Sequence, residues 1–289
     1  MLKYARLLVS AGILAPCFFF AGAPLTGCQK SNDTITVIKH DTTVIVKHDS
    51  IPVADTVYDI ASGLVAYYNF NGGSLHDSSL YGNHIVFNNA TPTADRFGNP
   101  NNAYLFDGAT SYMQVHNSSS LNPDNITLYA IVRINGFYAG KCSGNQILSK
   151  GYSDDVNGLY FLRFSDTTNG CTLNPPHPES EVAYGTYGDN TPSGTTLTAG
   201  NNSSAVQTGI WYKFAYTYDG LTAKFYVNGV LKGSVTKGVA FTDNSNDIFI
   251  GRDENVLFPY WFNGVIDEIR IYNRALPQQA ITQLNKQNN

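Results

Sequence analysis

Tyr260 and Trp261 stand side by side in "LFPYWFNG" (Leu257–Gly264), the densest aromatic stretch at a loop-like position. Exposed Tyr and Trp rings stack on the apolar faces of sugar rings, while amide and carboxylate side chains take the hydroxyls. Most of the 19 tyrosines must belong to the core or to strand surfaces, where Tyr packs well across strands. Tyr138, Tyr152 and Tyr187 also read as loop residues, and Tyr187, Tyr260 and Trp261 are taken as the candidate glycan contacts. Carboxylates offer the other chemistry. Glu179 and Glu181 in "PPHPESEVAYG" can share a strand face near His177, but they follow a proline-rich turn and nothing marks either as an acid. Glycoside hydrolysis with retention needs two carboxyls held about 5 Å apart. No catalytic residue is assigned, since neither a Ser-His-Asp order nor a phosphate-cradling glycine loop is recognisable. Cys142 and Cys171 form an even pair in what reads as an exported chain, and a disulfide between them is expected.

Strands joined by polar turns would position these residues. The chain has 289 residues, only 14% of them charged, and is rich in Tyr, Phe, Val, Thr, Asn and Gly. "ITLYAIVRI" puts Ile126, Leu128, Ala130, Val132 and Ile134 on one side and Thr127, Tyr129, Ile131 and Arg133 on the other. "WYKFAYTYDG" alternates from Trp211 and turns at Asp219-Gly220; "LTAKFYVNGVLKGS" turns at Asn228-Gly229, a pair suited to a tight hairpin. Only "LPQQAITQL" looks helical, with Pro277 near its start and Leu276, Ala280 and Leu284 four residues apart. The expected fold is all-β, a two-sheet antiparallel sandwich with a short C-terminal helix.

The first residues have a different logic. Lys3 and Arg6 precede "LLVSAGILAPCFFFAGAPL", an apolar run broken by Gly and Pro that reads as a secretory signal. Its end, Leu25-Thr26-Gly27-Cys28, resembles the lipobox of bacterial lipoproteins. That resemblance implies cleavage before Cys28 and lipid attachment to it, and so a lipid-anchored protein of the cell envelope, at the outer membrane. Next come "ITVIKHDT" (Ile35–Thr42) and "TVIVKHDS" (Thr43–Ser50), two copies of one pattern. They read as an extended polar linker; an edge strand or pairing with a neighbouring copy are the alternatives. His40 and His48 are too loosely placed for a metal site. Losing Lys3 and Arg6 takes the formal charge from -4 to about -6, with no basic stripe, so nucleic acid is not an expected partner.

Four blocks, "GLVAYYNFNGGSLHDSSLYGNHIVF", "AYLFDGATSYMQV", "WYKFAYTYDGLTAKFYVNGVLKG" and "FNGVIDEIRIYNRALPQQAITQL", resemble in order the signatures of laminin-G-like, concanavalin A-like jelly rolls. The resemblance implies the sandwich over residues 60–289, after a signal peptide at 1–27 and a tether and linker at 28–59. It also implies one structural Ca2+ joining the first and last strands, for which Asp77, Asn83 and Asp267 are the matching residues. The Glu-x-Asp-x-x-Glu run of glycan-cleaving relatives is absent. The expected function is therefore non-enzymatic binding of a polysaccharide or cell-surface glycan. The alternatives are a structural or adhesive lipoprotein with a protein partner and, less favoured, a glycan-cleaving enzyme.

Overall fold

Ile126, Leu128, Ala130, Val132 and Ile134 all lie fully buried in one hydrophobic cluster, as their period-two spacing requires of a strand face. The structure is a computed structural model that describes residues 35–40, 43–48, 57–140, 143–151, 158–166, 168, 177–189 and 197–287. The leader, Cys28 and Tyr152 lie outside the described residues. No helix among those described is long and apolar enough to cross a membrane.

The chain divides into two units, Met1–Val57 and Tyr58–Asn289. In the first, the repeated octets supply β1 (Ile35–His40) and β2 (Thr43–His48), which pair antiparallel with His40 opposite Thr43. Among the described residues the second unit holds fifteen strands. They are β3 (Leu64–Tyr68), β4 (Ile85–Asn88), β5 (Thr91–Thr93), β6 (Ala103–Asp107), β7 (Met113–Val115), β8 (Ile126–Gly136), β9 (Gly144–Lys150) and β10 (Leu159–Asp166). Beyond them come β11 (Glu181–Gly188), β12 (Leu197–Ala205), β13 (Trp211–Tyr218), β14 (Thr222–Val227), β15 (Val230–Thr236), β16 (Ile248–Ile250) and β17 (Asn263–Tyr272).

Two antiparallel sheets form the sandwich. One runs β12-β11-β10-β9-β16-β7-β4; the other runs β15-β14-β13-β8-β17-β6-β5, with β3 also paired to β17. Their inner faces enclose the main core, which includes Tyr68, Phe106, Phe164, Tyr187, Phe214 and Phe225. Asn228 and Gly229 both take positive φ (51° and 78°) in the hairpin between β14 and β15. At the far edge of the eight-stranded sheet, the three-residue β5 sets Pro92 opposite Tyr104 of β6.

The C-terminal helix, α1 (Gln278–Gln287), begins directly after Pro277. Leu276, Ala280, Ile281 and Leu284 pack with Tyr129, Ile131, Ala215, Tyr226 and Tyr272 in a second cluster. The alternation of β8 puts Tyr129 and Ile131 opposite to its core residues, so α1 covers the outer face of the eight-stranded sheet.

One expectation is corrected. No sulfur pair stands at bonding distance, which overturns the Cys142–Cys171 disulfide; both cysteines lie outside the described residues.

Candidate functional site

Register carries one row of side chains across the outer face of the whole seven-stranded sheet. It runs from Thr198 through Thr186, Phe161, Ser149 and Phe249 to Gln114 and Phe87. Their strand neighbours Tyr160, Leu162, Ile248, Ile250, Met113 and Val115 point into the core, so this row points away from it. A second row runs Gly200, Tyr184, Arg163, Gln146.

Residues 251–262, between β16 and β17, lie along these rows. Gly251 N–H donates to Ile147 O (3.0 Å), Gln146 N–H to Tyr260 O (2.8 Å), Asp253 N–H to Pro259 O (2.8 Å) and Phe262 N–H to Gly251 O (2.9 Å). The segment thereby sets Arg252 against three rings, 5.2 Å from Tyr112, 5.5 Å from Phe249 and 5.0 Å from Trp261. Tyr112 in turn stacks on exposed Phe87 at 4.6 Å. Arg163 occupies a matching place, 4.3 Å from Phe161, 5.1 Å from Tyr184 and 5.4 Å from Tyr260, and its Nε donates to Tyr184 Oη at 2.6 Å. Two guanidinium groups are thus each held among three aromatic rings, an arrangement stabilised by the ring quadrupoles.

Two buried carboxyls border the region. Burial pushes Asp253 up to about 6, against the opposing Asn255 N–H and the Arg163 charge. Burial, reinforced by the Asp166 charge, pushes Glu181 up to about 8. Asp166 itself is held below the usual range: burial alone would raise it, but hydrogen bonds from Thr168 and His177 outweigh that. Glu181 therefore belongs to a buried polar group with Asn145, whose Nδ2 donates to it at 3.3 Å, and Glu179 is not part of that group.

The structure places the expected residues unequally. Trp261 is half-buried on the aromatic face, and Tyr260 is 7% exposed beside it. Tyr187 belongs to β11, where its ring stacks on Phe241 at 4.7 Å and its hydroxyl donates to Pro123 O; being fully buried, it offers no face to a sugar. Asp77 and Asn83 share one turn, while Asp267 pairs with Arg96 at 2.7 Å. For a calcium ion this set does not fit. Asp77 accepts from Tyr67 N–H, Ser79 N–H, Ser79 Oγ and Asn83 N–H, and Asn83 Oδ1 accepts from Ser118 Oγ, so donors already occupy these oxygens. Among the described residues no group of three or more His, Cys, Asp or Glu side chains could hold a metal.

Tyr112, Phe249, Arg163 and Arg252 were not singled out from sequence. "LYFLRFSD" does carry a signal, because period two puts Phe161 and Arg163 together opposite Tyr160, Leu162 and Phe164. Arg252 has no such signal; only its place after β16 brings it to the rings.

Comparison with known proteins agrees with this architecture. No curated protein matches the chain. Domain 4 of AbnA, a GH43 extracellular arabinanase from Geobacillus stearothermophilus solved in complex with arabinotriose, is similar at 21% identity and a TM-score of 0.52, over 77% of this chain and 98% of that one. The binding domain of Paraclostridial Mosquitocidal Protein 1 is similar at 14% identity and a TM-score of 0.57, over 78% of this chain and 52% of its own. A structure of botulinum neurotoxin type C, whose cell entry depends on two ganglioside molecules, is similar at 12% identity and a TM-score of 0.58, over 80% and 52%. This chain spans about half the length of those two toxin chains. At these identities the likeness is one of fold. Residues 107–282, more than half of the sequence, match the laminin-G family model described as concanavalin A-like lectin/glucanases. The chain belongs to the concanavalin A-like lectin/glucanases superfamily.

Proposed function

We propose that the chain is a non-catalytic glycan-binding protein whose ligand lies across the outer face of the seven-stranded sheet, against Trp261, Tyr112, Arg252 and Arg163. The observation that carries this reading is the pair of arginines each set among three rings, on the face that α1 does not cover. Rings supply stacking surface, and guanidinium N–H groups supply donors for hydroxyl or carboxylate oxygens. The arabinotriose complex of the AbnA domain and the ganglioside dependence of the botulinum toxin support a sugar as the ligand class.

Titrating the protein with arabinotriose, and screening it on an array of neutral and acidic glycans, tests this reading. Saturable binding is expected, and Trp261→Ala should weaken it about tenfold, the loss of roughly 1.4 kcal/mol of stacking. Unchanged affinity in that variant would move the ligand off this face, and an array with no binder would leave a protein partner as the better reading.

The same proposal places the chain at the bacterial outer membrane through lipid on Cys28, on the strength of Leu25-Thr26-Gly27-Cys28 after an apolar leader. Cells fed radiolabelled palmitate should label the wild-type chain, and Cys28→Ser should abolish the label and release the protein from the membrane fraction. Equal labelling of both would refute the anchor.

A further inference from the structure

Two acceptor oxygens on the aromatic face are buried without a donor, Asp253 Oδ2 and Gln146 Oε1. Both side chains belong to residues with 0% exposure. Both residues also bind, through their backbones, the segment that carries Tyr260: Gln146 N–H donates to Tyr260 O, and Asp253 N–H to Pro259 O. Buried acceptors in folded proteins are nearly always satisfied, because desolvation otherwise goes uncompensated. Two such atoms, on residues whose backbones hold Pro259 and Tyr260, are free to accept from a donor outside the chain.

Tyr260 is held in an unusual way. Its φ is 47°, in the left-handed region that a bulky residue rarely adopts. Its ring lies so close over Gly144 that a Cβ on that glycine would come within 2.7 Å of Tyr260 Cδ1. The tip of the same segment, Val256 and Leu257, is 78% exposed at both residues, so the tip itself is not tied down by apolar packing.

We propose that Tyr260 is a gate: its ring fills a saccharide subsite, and the ligand displaces it by donating two neighbouring hydroxyls to Asp253 Oδ2 and Gln146 Oε1. This inference rests on the glycan reading and narrows it to ligands with a free hydroxyl pair. Both orphan atoms accept, so the group that satisfies them must donate. A metal or ammonium ion is opposed by Arg163, 5.4 Å from the Tyr260 ring, and by Arg252, both of whose charges act on Asp253. Neutral donors are what the hydroxyls of a sugar present.

Acidity provides a second readout. The groups that act on Asp253 are Arg163 from β10 and Arg252, Asn255 and Glu254 from its own segment. Burial lifts this carboxyl to about 6 in the closed state. A donated hydroxyl favours the ionised form, so binding expels a proton and strengthens as pH rises through about 6.

Calorimetric titration of the full chain with arabinotriose and with methyl glycosides of neutral hexoses, between pH 5 and 8, decides the matter. Tyr260→Gly, which removes the ring and relieves the backbone, should bind about tenfold more tightly. Asp253→Asn should bind about tenfold more weakly and lose the pH dependence; Gln146→Met, the second variant should the first not fold, should weaken binding to a similar degree. Wild-type binding that Trp261→Ala weakens but Asp253→Asn, Gln146→Met and Tyr260→Gly leave unchanged overturns the gate and keeps the glycan face. No binding by wild type or by Tyr260→Gly overturns both.

Discussion

Lys150→Ala is expected to lower the melting temperature of the chain by about 10 °C, the counterpart of roughly 3–5 kcal/mol. Lys150 ends β9 and is fully buried, and its Nζ donates to Asn117 Oδ1 (2.8 Å), Asn244 Oδ1 (2.7 Å) and Asn246 O (2.5 Å). These oxygens come from two separate loops, after β7 and before β16. The network reaches further, since Asn244 Nδ2 donates to Gly158 O and Asn122 Nδ2 to Asn117 Oδ1. Removing the ammonium takes the charged donor from three acceptors at once, and the stem's packing is lost with it. Lys150→Met separates the two contributions, because it keeps the stem and deletes only the donors. A melting shift below about 2 °C in both variants would show that the loops hold without it. Amide and carbonyl oxygens are also what a hard cation takes. Here the positive charge is attached to the chain itself.

Gly264→Ala should be strongly damaging for a single-methyl change, at about 3 kcal/mol or more. Gly264 lies in β17, between β6 on one side and β8 on the other, opposite Phe106 and Ile134. A Cβ there would come to 2.2 Å of Arg133 O and 2.7 Å of Phe262 Cζ. The nearer atom is backbone, so no rotamer change relieves the clash, and the ladder must part at the centre of the sheet. Chemical denaturation compared with Gly238→Ala, whose added carbon would meet nothing nearer than Gly220 O at 3.6 Å, measures the difference. Equal losses in the two variants would mean that the sheet absorbs the methyl.

How far these features could be read in advance depended on distance along the chain. The strand at 126–136 was plain because five apolar residues alternate within one segment, and all five reached the core. The Asn228-Gly229 hairpin and the helix after Pro277 were equally local. Tyr187 shows where local reading failed. Its neighbourhood of Gly, Asp and Asn looked like a loop, but pairing with Leu159–Asp166 and Leu197–Ala205 made it a central strand residue and turned its ring inward. The aromatic face was hidden for a related reason. Phe87, Tyr112 and Arg163 lie on three separate segments and Phe249 with Arg252 on a fourth, and only the register of paired strands brings those four together. Trp261 could be picked out as an exposed-looking aromatic; the partners that give it a role could not.

Pro92 has a bearing on how copies of the chain coexist. An outermost strand is a template onto which another molecule can add its own backbone, the first step of fibre growth. Here that strand is three residues long and its central residue has no N–H to give. At this one of its two ends the eight-stranded sheet therefore has a border that recruits poorly, and a second copy gains little by adding its backbone there.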